Sequence, residues 1–144
     1  MKDTIRKEII LVLKKSIEYI KKRDLASLRE QSDVIIEKSS VYQDKDSITL
    51  AVIIYSIFKI LEKKKYTEYK EWNKFNKLLL SNLNLALKFL ENGDITNYSN
   101  KIKEVVQELK KIETDLGQFI EHVINSTKIK KASTIYQQGL SAGT

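Results

Sequence analysis

Between Ile48 and Leu61 the only polar side chains are Thr49, Ser56 and Lys59. Wound into an α-helix, these three fall at roughly 0°, 340° and 280°, and Lys63 follows at about 320°. The rest of the circumference is apolar. A helix of that kind has to be enclosed, either by other helices or by lipid. The apolar run is about 14 residues, short of the roughly 20 that cross a bilayer. The stretch 46–61 is therefore expected to be a buried core helix, with an interfacial membrane segment as the alternative. The other helices must then wrap it. Contact with at least the first, second and fourth helices follows, with Ile54, Ile57 and Phe58 enclosed.

The flanking sequence supplies those helices. Asp3 is placed to cap a first helix running to about Arg23, with Ile5, Ile9, Val12, Leu13, Ile17 and Ile20 at helical spacing. Lys7, Lys14, Glu18 and Lys21 fall on its other side, and Lys21, Lys22 and Arg23 suit the C-terminal end of the dipole. Asp24 reads as the cap of a second helix carrying Leu25, Leu28, Ile35 and Ile36 on one face. Ser32 and Ser39 share that face, where small side chains let a neighbour approach closely. Val34 widens the apolar side, and Arg29, Glu30, Asp33 and Glu37 point to solvent. The pattern breaks over 39–46, where Asp44 or Asp46 can cap the buried helix with negative charge at its positive end.

Beyond the buried helix, Thr67 is expected to cap a long helix reaching about Asn92. Its apolar period runs through Trp72, Phe75, Leu79, Leu83, Ala86, Leu87 and Leu90, with Asn76 among them. Exposed rings beside lysines can stack on bases, but Trp72 and Phe75 lie on the apolar stripe and are assigned to the core. Asn92 and Gly93 supply a left-handed stop, and Asp94 and Thr96 restart the chain. A further helix carries Ile102, Val105, Leu109, Ile112, Leu116, Phe119 and Val123 at alternating three–four spacing, broadened by Val106 and Ile120. Such a seam packs within an antiparallel bundle or pairs two chains in a coiled coil; intramolecular packing is the preferred reading in a chain this short. Gly117 weakens the middle of that helix unless it permits close contact.

These elements predict an all-α fold, an antiparallel helical bundle of five to six helices around a buried central helix. The chain has 144 residues, no proline and no cysteine. Without proline nothing interrupts long helices. Without cysteine there are no disulfides, thiol chemistry or cysteine metal sites. The charged start, Lys2 and Asp3, lacks a signal peptide's apolar region, so a cytoplasmic protein with no membrane role is expected. Net charge is +7 and the isoelectric point about 9.4, which suits an acidic partner. The excess is almost all lysine, with only Arg6, Arg23 and Arg29 as arginines, so attraction to phosphate should be modest and salt-sensitive.

Residues arranged for catalysis are not apparent. His122 is the only histidine and falls opposite the helical seam, with no serine or acid patterned to pair with it. All-helical ribonucleases of the HEPN type place an arginine a short way before a histidine, whereas the arginines here lie far upstream of His122. Glycines 93, 117, 139 and 143 are scattered and form no phosphate loop. The one candidate polar site is the loop at Gln43, Asp44 and Asp46, which Asp33 or Glu37 could extend into a carboxylate cluster. Capping is the preferred reading, because nothing there has the spacing of a cation-binding loop. No enzyme, metal or cofactor is expected.

The last segment has a different logic. Ile129, Ala132, Ile135 and Tyr136 form one helical face, Gly139 can stop the helix, Leu140 can pack behind it, and Ser141 can start another. A frayed tail after a glycine cap is the alternative. Two passages, 32–48 (SDVIIEKSSVYQDKDSI) and 131–141 (KASTIYQQGLS), together resemble a group of uncharacterised, mainly archaeal helical proteins. In that group a helical N-terminal domain precedes a small C-terminal helix-turn-helix segment. The resemblance implies a bundle domain over 1–126 and the start of a truncated helix-turn-helix unit over 127–144. It implies a regulatory or interaction domain of a DNA-binding protein, with Lys128, Lys130 and Lys131 as candidate nucleic-acid contacts and DNA bound only with residues beyond Thr144. The alternative is a protein-interaction module, antitoxin-like or an assembly factor, binding a protein partner or forming a homodimer.

Overall fold

The computed structural model describes residues 1–63, 68 and 72–110. Five helices make up almost all of this: α1 (Asp3–Lys22), α2 (Leu25–Tyr42), α3 (Lys45–Glu62), α4 (Trp72–Glu91) and α5 (Ile95–Lys110). No strand occurs among the described residues. The expected all-α bundle is present.

Three of the connections are tight and built alike. At each, one residue turns left-handed to stop a helix and the following aspartate caps the next. Arg23 (φ 53°) donates its N–H to Ile20, and Asp24 donates to Tyr19. Gly93 (φ 75°) and Asp94 repeat that pairing on Leu90 and Phe89. Gln43 (φ 55°) makes the simpler version, with one bond to the Ser39 carbonyl. The cap carboxylates then accept the N–H of Ser27 at 3.2 Å, Ser47 at 3.0 Å and Asn97 at 3.2 Å. Hydrogen bonds from the Ser27 hydroxyl, then from its N–H, hold Asp24 below the usual carboxylate range.

Two boundaries differ from the sequence reading. Asp3 does not cap α1; Lys2 holds that position without a side-chain bond, and Asp3 sits in the first turn, 3.5 Å from Arg6. Its charge still lies at the positive end of the dipole. The helical pattern also persists past Ser39 to Tyr42. Ser39 and Ser40 turn their hydroxyls onto the carbonyls of Ile36 and Glu37, at 2.9 and 2.7 Å, so neither has to interrupt the helix.

The expected central stretch is the most buried element, with eleven of the eighteen residues of α3 enclosed, Ile54, Ile57 and Phe58 among them. Even Ser56, on its supposed polar strip, is fully buried. Of the three neighbours expected, α2 does run alongside α3, while the other long contact is with a helix not among them. The helices that run side by side are α1 with α2, α2 with α3, α3 with α5, α5 with α4 and α4 with α1. The long contacts of α3 are thus with α2 and α5 rather than with α1 and α4. These pairs close a circuit, and a circuit of five cannot alternate direction throughout.

The parallel pair that results is α3 with α5. The Ser99 hydroxyl donates to Asp46 at 2.9 Å where both helices begin, and farther along Ile48 and Val52 share a groove with Lys103, Val106 and Lys110. By contrast α1 and α4 are antiparallel: Arg6, early in α1, donates to the carbonyls of Leu90 and Glu91 at the end of α4, at 3.1 and 3.2 Å. Side chains on the assigned stripes fill the interior, including Ile9, Leu13, Ile17, Leu28, Ile35, Leu79, Leu83, Ile102 and Val105. Trp72 and Phe75 are buried with ring centroids 5.5 Å apart, as their place on the apolar stripe requires. Thr67 and the seam residues beyond Lys110 lie outside the described residues.

Candidate functional site

The polar loop resolves into a joint between helices. Gln43 is the exposed left-handed residue, and Asp44 caps α3 through one carboxylate oxygen. Asp46, in the first turn of α3, ties α3 to α5 through Ser99. Beneath them Tyr98 is wholly enclosed. Its phenol is pushed far above its ordinary range by burial, then by the charges of Asp46 and Asp44. It therefore stays neutral. The Tyr98 hydroxyl, the Ser47 hydroxyl and the second oxygen of Asp44 are buried without a hydrogen-bond partner in the protein. Asp33 and Glu37 remain exposed on α2, and no group of three or more His, Cys, Asp or Glu side chains among the described residues could hold a metal. Capping and clasping account for Asp44 and Asp46.

Two outer strips stand apart from this joint. On α4, Lys74, Leu78, Ser81, Leu85 and Lys88 follow one another along the outer face, with Lys77 beside them. Leu78 and Leu85 are 44% and 40% exposed, and no acid occurs between Trp72 and Leu90. On α2 Glu30, Glu37 and Val41 are exposed, Val41 to 67%, and Val34 between them is half-buried against the core. Beside them lies a groove of about 330 Å³ lined by Glu8, Val34, Glu37, Lys38, Val41 and Tyr42, across which Lys38 donates to Glu8 at 3.1 Å.

The sequence carried a signal for both strips. Leu78 and Leu85 are seven apart and offset from the stripe of Phe75, Leu79 and Leu83, and Val34 and Val41 are likewise seven apart. That spacing returns a residue to the same side of a helix. A second, smaller groove of about 200 Å³ follows the α3–α5 seam, with Ile48, Val52 and Val106 in its wall.

Lys128, Lys130 and Lys131 lie outside the described residues. Comparison with known protein families, curated proteins and solved structures finds no match to this chain. No helix among the described residues is long and apolar enough to cross a membrane.

Proposed function

We propose that the bundle is a non-enzymatic regulatory or interaction domain of a cytoplasmic protein. It would serve a helix-turn-helix DNA-binding unit that begins within 127–144 and needs residues beyond Thr144. The observation that carries the interaction role is the pair of outer faces, α4 with Leu78 and Leu85 exposed among lysines, and α2 with Val41 exposed among Glu30, Glu37 and Lys38. Apolar surface rimmed by polar groups is what docking surfaces present. The DNA role rests on the resemblance of 32–48 and 131–141 to mainly archaeal helix-turn-helix proteins, and the net charge of +7 is compatible with it. A protein-interaction module without a DNA role is the second reading, and the same strips favour it.

The test is titration of labelled duplex DNA with the 144-residue chain and with the chain extended by its native downstream residues. The shorter chain should bind weakly, losing affinity steeply with salt, as lysine–phosphate contacts do. The extension should raise affinity, and replacing Lys128, Lys130 and Lys131 by alanine should lower it without changing the melting temperature. Equal, weak binding by all forms would remove the DNA role and leave the second reading. Tight, sequence-selective binding by the shorter chain would contradict the need for residues beyond Thr144.

A further inference from the structure

We propose that the partner for these strips is a second copy of this chain. The lysine–leucine ridge of α4 in one copy would seat on the glutamate–valine groove of α2 in the next. The inference rests on the interaction-domain reading and names its partner.

The two surfaces match in shape, spacing and charge. Leu78 and Leu85 stand out from α4, while exposed Val41 and half-buried Val34 border a groove of about 330 Å³ into which projecting side chains can enter. Each apolar pair is seven residues apart, roughly 10.5 Å along a helix, so one helix laid on the other brings both pairs into register. The strips also share a common order. Positions 30, 34, 37 and 41 on α2 and 74, 78, 81 and 85 on α4 have the same spacing, which in a parallel alignment sets Glu30 opposite Lys74 and Glu37 opposite the small Ser81.

Laid in either direction, Glu30 meets a terminal lysine of the ridge, Lys74 or Lys88. Ser81 leaves room for Glu37 between the leucines, and Lys77 stands on the flank. The positive charge within the groove is Lys38, tied to Glu8. Acidic flanks on one strip and basic flanks on the other favour docking of unlike faces and disfavour either strip pairing with itself.

Because α2 and α4 lie on opposite sides of α1 in the circuit, the contact is heterologous. Each copy that uses its ridge keeps its own groove available, so the assembly grows into a ring or an open row rather than stopping at a two-fold dimer.

Sedimentation velocity of the whole chain from micromolar to millimolar concentration tests this directly. The mass should rise with concentration. Glu30→Lys/Glu37→Lys and Lys74→Glu/Lys77→Glu/Lys88→Glu should each sediment as monomers with unchanged helical circular dichroism. An equimolar mixture of the two should associate again, since each reversed face then meets its complement. A wild-type chain that stays monomeric at every concentration overturns the proposal. So does association that survives both sets of reversals, or two folded variants that fail to associate when mixed. None of these outcomes bears on the DNA titration, so self-pairing can fail while the regulatory-domain reading stands.

Discussion

Six serines are enclosed in the first three helices, Ser16 in α1, Ser32, Ser39 and Ser40 in α2, and Ser47 and Ser56 in α3. What is buried in α4 and α5 is of another kind: Trp72, Phe75, Leu79, Leu83, Ala86 and Leu90, then Tyr98, Ile102, Val105 and Leu109. Both halves are close-packed, but by different means. A serine on a helix face lets the neighbouring backbone come near, at the cost of a hydroxyl that must find a partner or go without. Ser39 and Ser40 use carbonyls of their own helix, whereas Ser16, Ser32, Ser47 and Ser56 have no partner within the protein. The α4–α5 hairpin interlocks large side chains at heptad-like spacing and encloses no serine. Packing around the serines tolerates little added volume; packing of large side chains, Phe58 of α3 as much as those of α4 and α5, tolerates little loss of it.

The largest effect belongs to loss of volume. Phe58→Ala should cost about 3–5 kcal/mol, read from urea unfolding, because Phe58 is only 7% exposed and its cavity cannot collapse fully. A cost below about 1 kcal/mol would mean that α3 is not enclosed as described.

Added volume sharpens the contrast. Ser56→Leu should destabilise by about 1–3 kcal/mol through overpacking. Ser56→Ala should be close to neutral, since it removes a buried hydroxyl that has no protein partner. If Ser56→Leu were tolerated as well as Ser56→Ala, the close approach attributed to the serines would be wrong.

The junctions come next. Asp44→Ala should cost about 1 kcal/mol in thermal or chemical unfolding, since the Ser47 N–H loses its acceptor at the start of α3. Asp44→Asn should recover most of that loss, because an amide oxygen caps nearly as well. Failure of the rescue would indicate that the charge beside Tyr98 matters more than the cap.

The smallest effect is one of pH. The Asp24 carboxyl is held below its ordinary range in the folded chain by the Ser27 hydroxyl, then by the Ser27 N–H. A depressed folded value means the unfolded chain binds the proton more readily. The stability from this cap is therefore complete above about pH 4 and is lost as pH falls through the folded value. Asp24→Asn should make the acid limb of the stability profile shallower while leaving neutral stability nearly unchanged. An identical acid limb in both proteins would remove Asp24 as a contributor.

Local chemistry carried most of the helical layout in the sequence. Asp24, Asp44 and Gly93 act within a turn of their own positions, so the caps and the stop were legible. The apolar stripes of α1 and α4 were legible too, because helical period alone places Ile9, Val12 and Leu13, or Phe75, Leu79 and Leu83, on one side. The place of Asp3 is not legible locally, because an aspartate stabilises a helix start from the cap or from the first turn. The end of α2 is not legible either, because a run of serines reads as a break unless their hydroxyls turn onto the helix's own carbonyls. For the candidate site, the sequence singled out Asp44 and Asp46 but not Tyr98 or Ser99, which reach them from another helix. Nor did it single out the α2 and α4 strips, whose exposure depends on which side of each helix the bundle leaves uncovered.

By itself, then, the chain determined that it would be helical, where most helices stop, and that 46–61 must be enclosed, since each of these follows from side chains within a few turns of one another. Only the tertiary structure decided which helices stand beside α3. Hairpin connections force α1, α2 and α3 to alternate, and α4 and α5 to alternate, but nothing local sets the orientation of one group against the other. Closure of the five-membered circuit settles it, at the pair where Asp46 meets Ser99 and α3 runs parallel to α5.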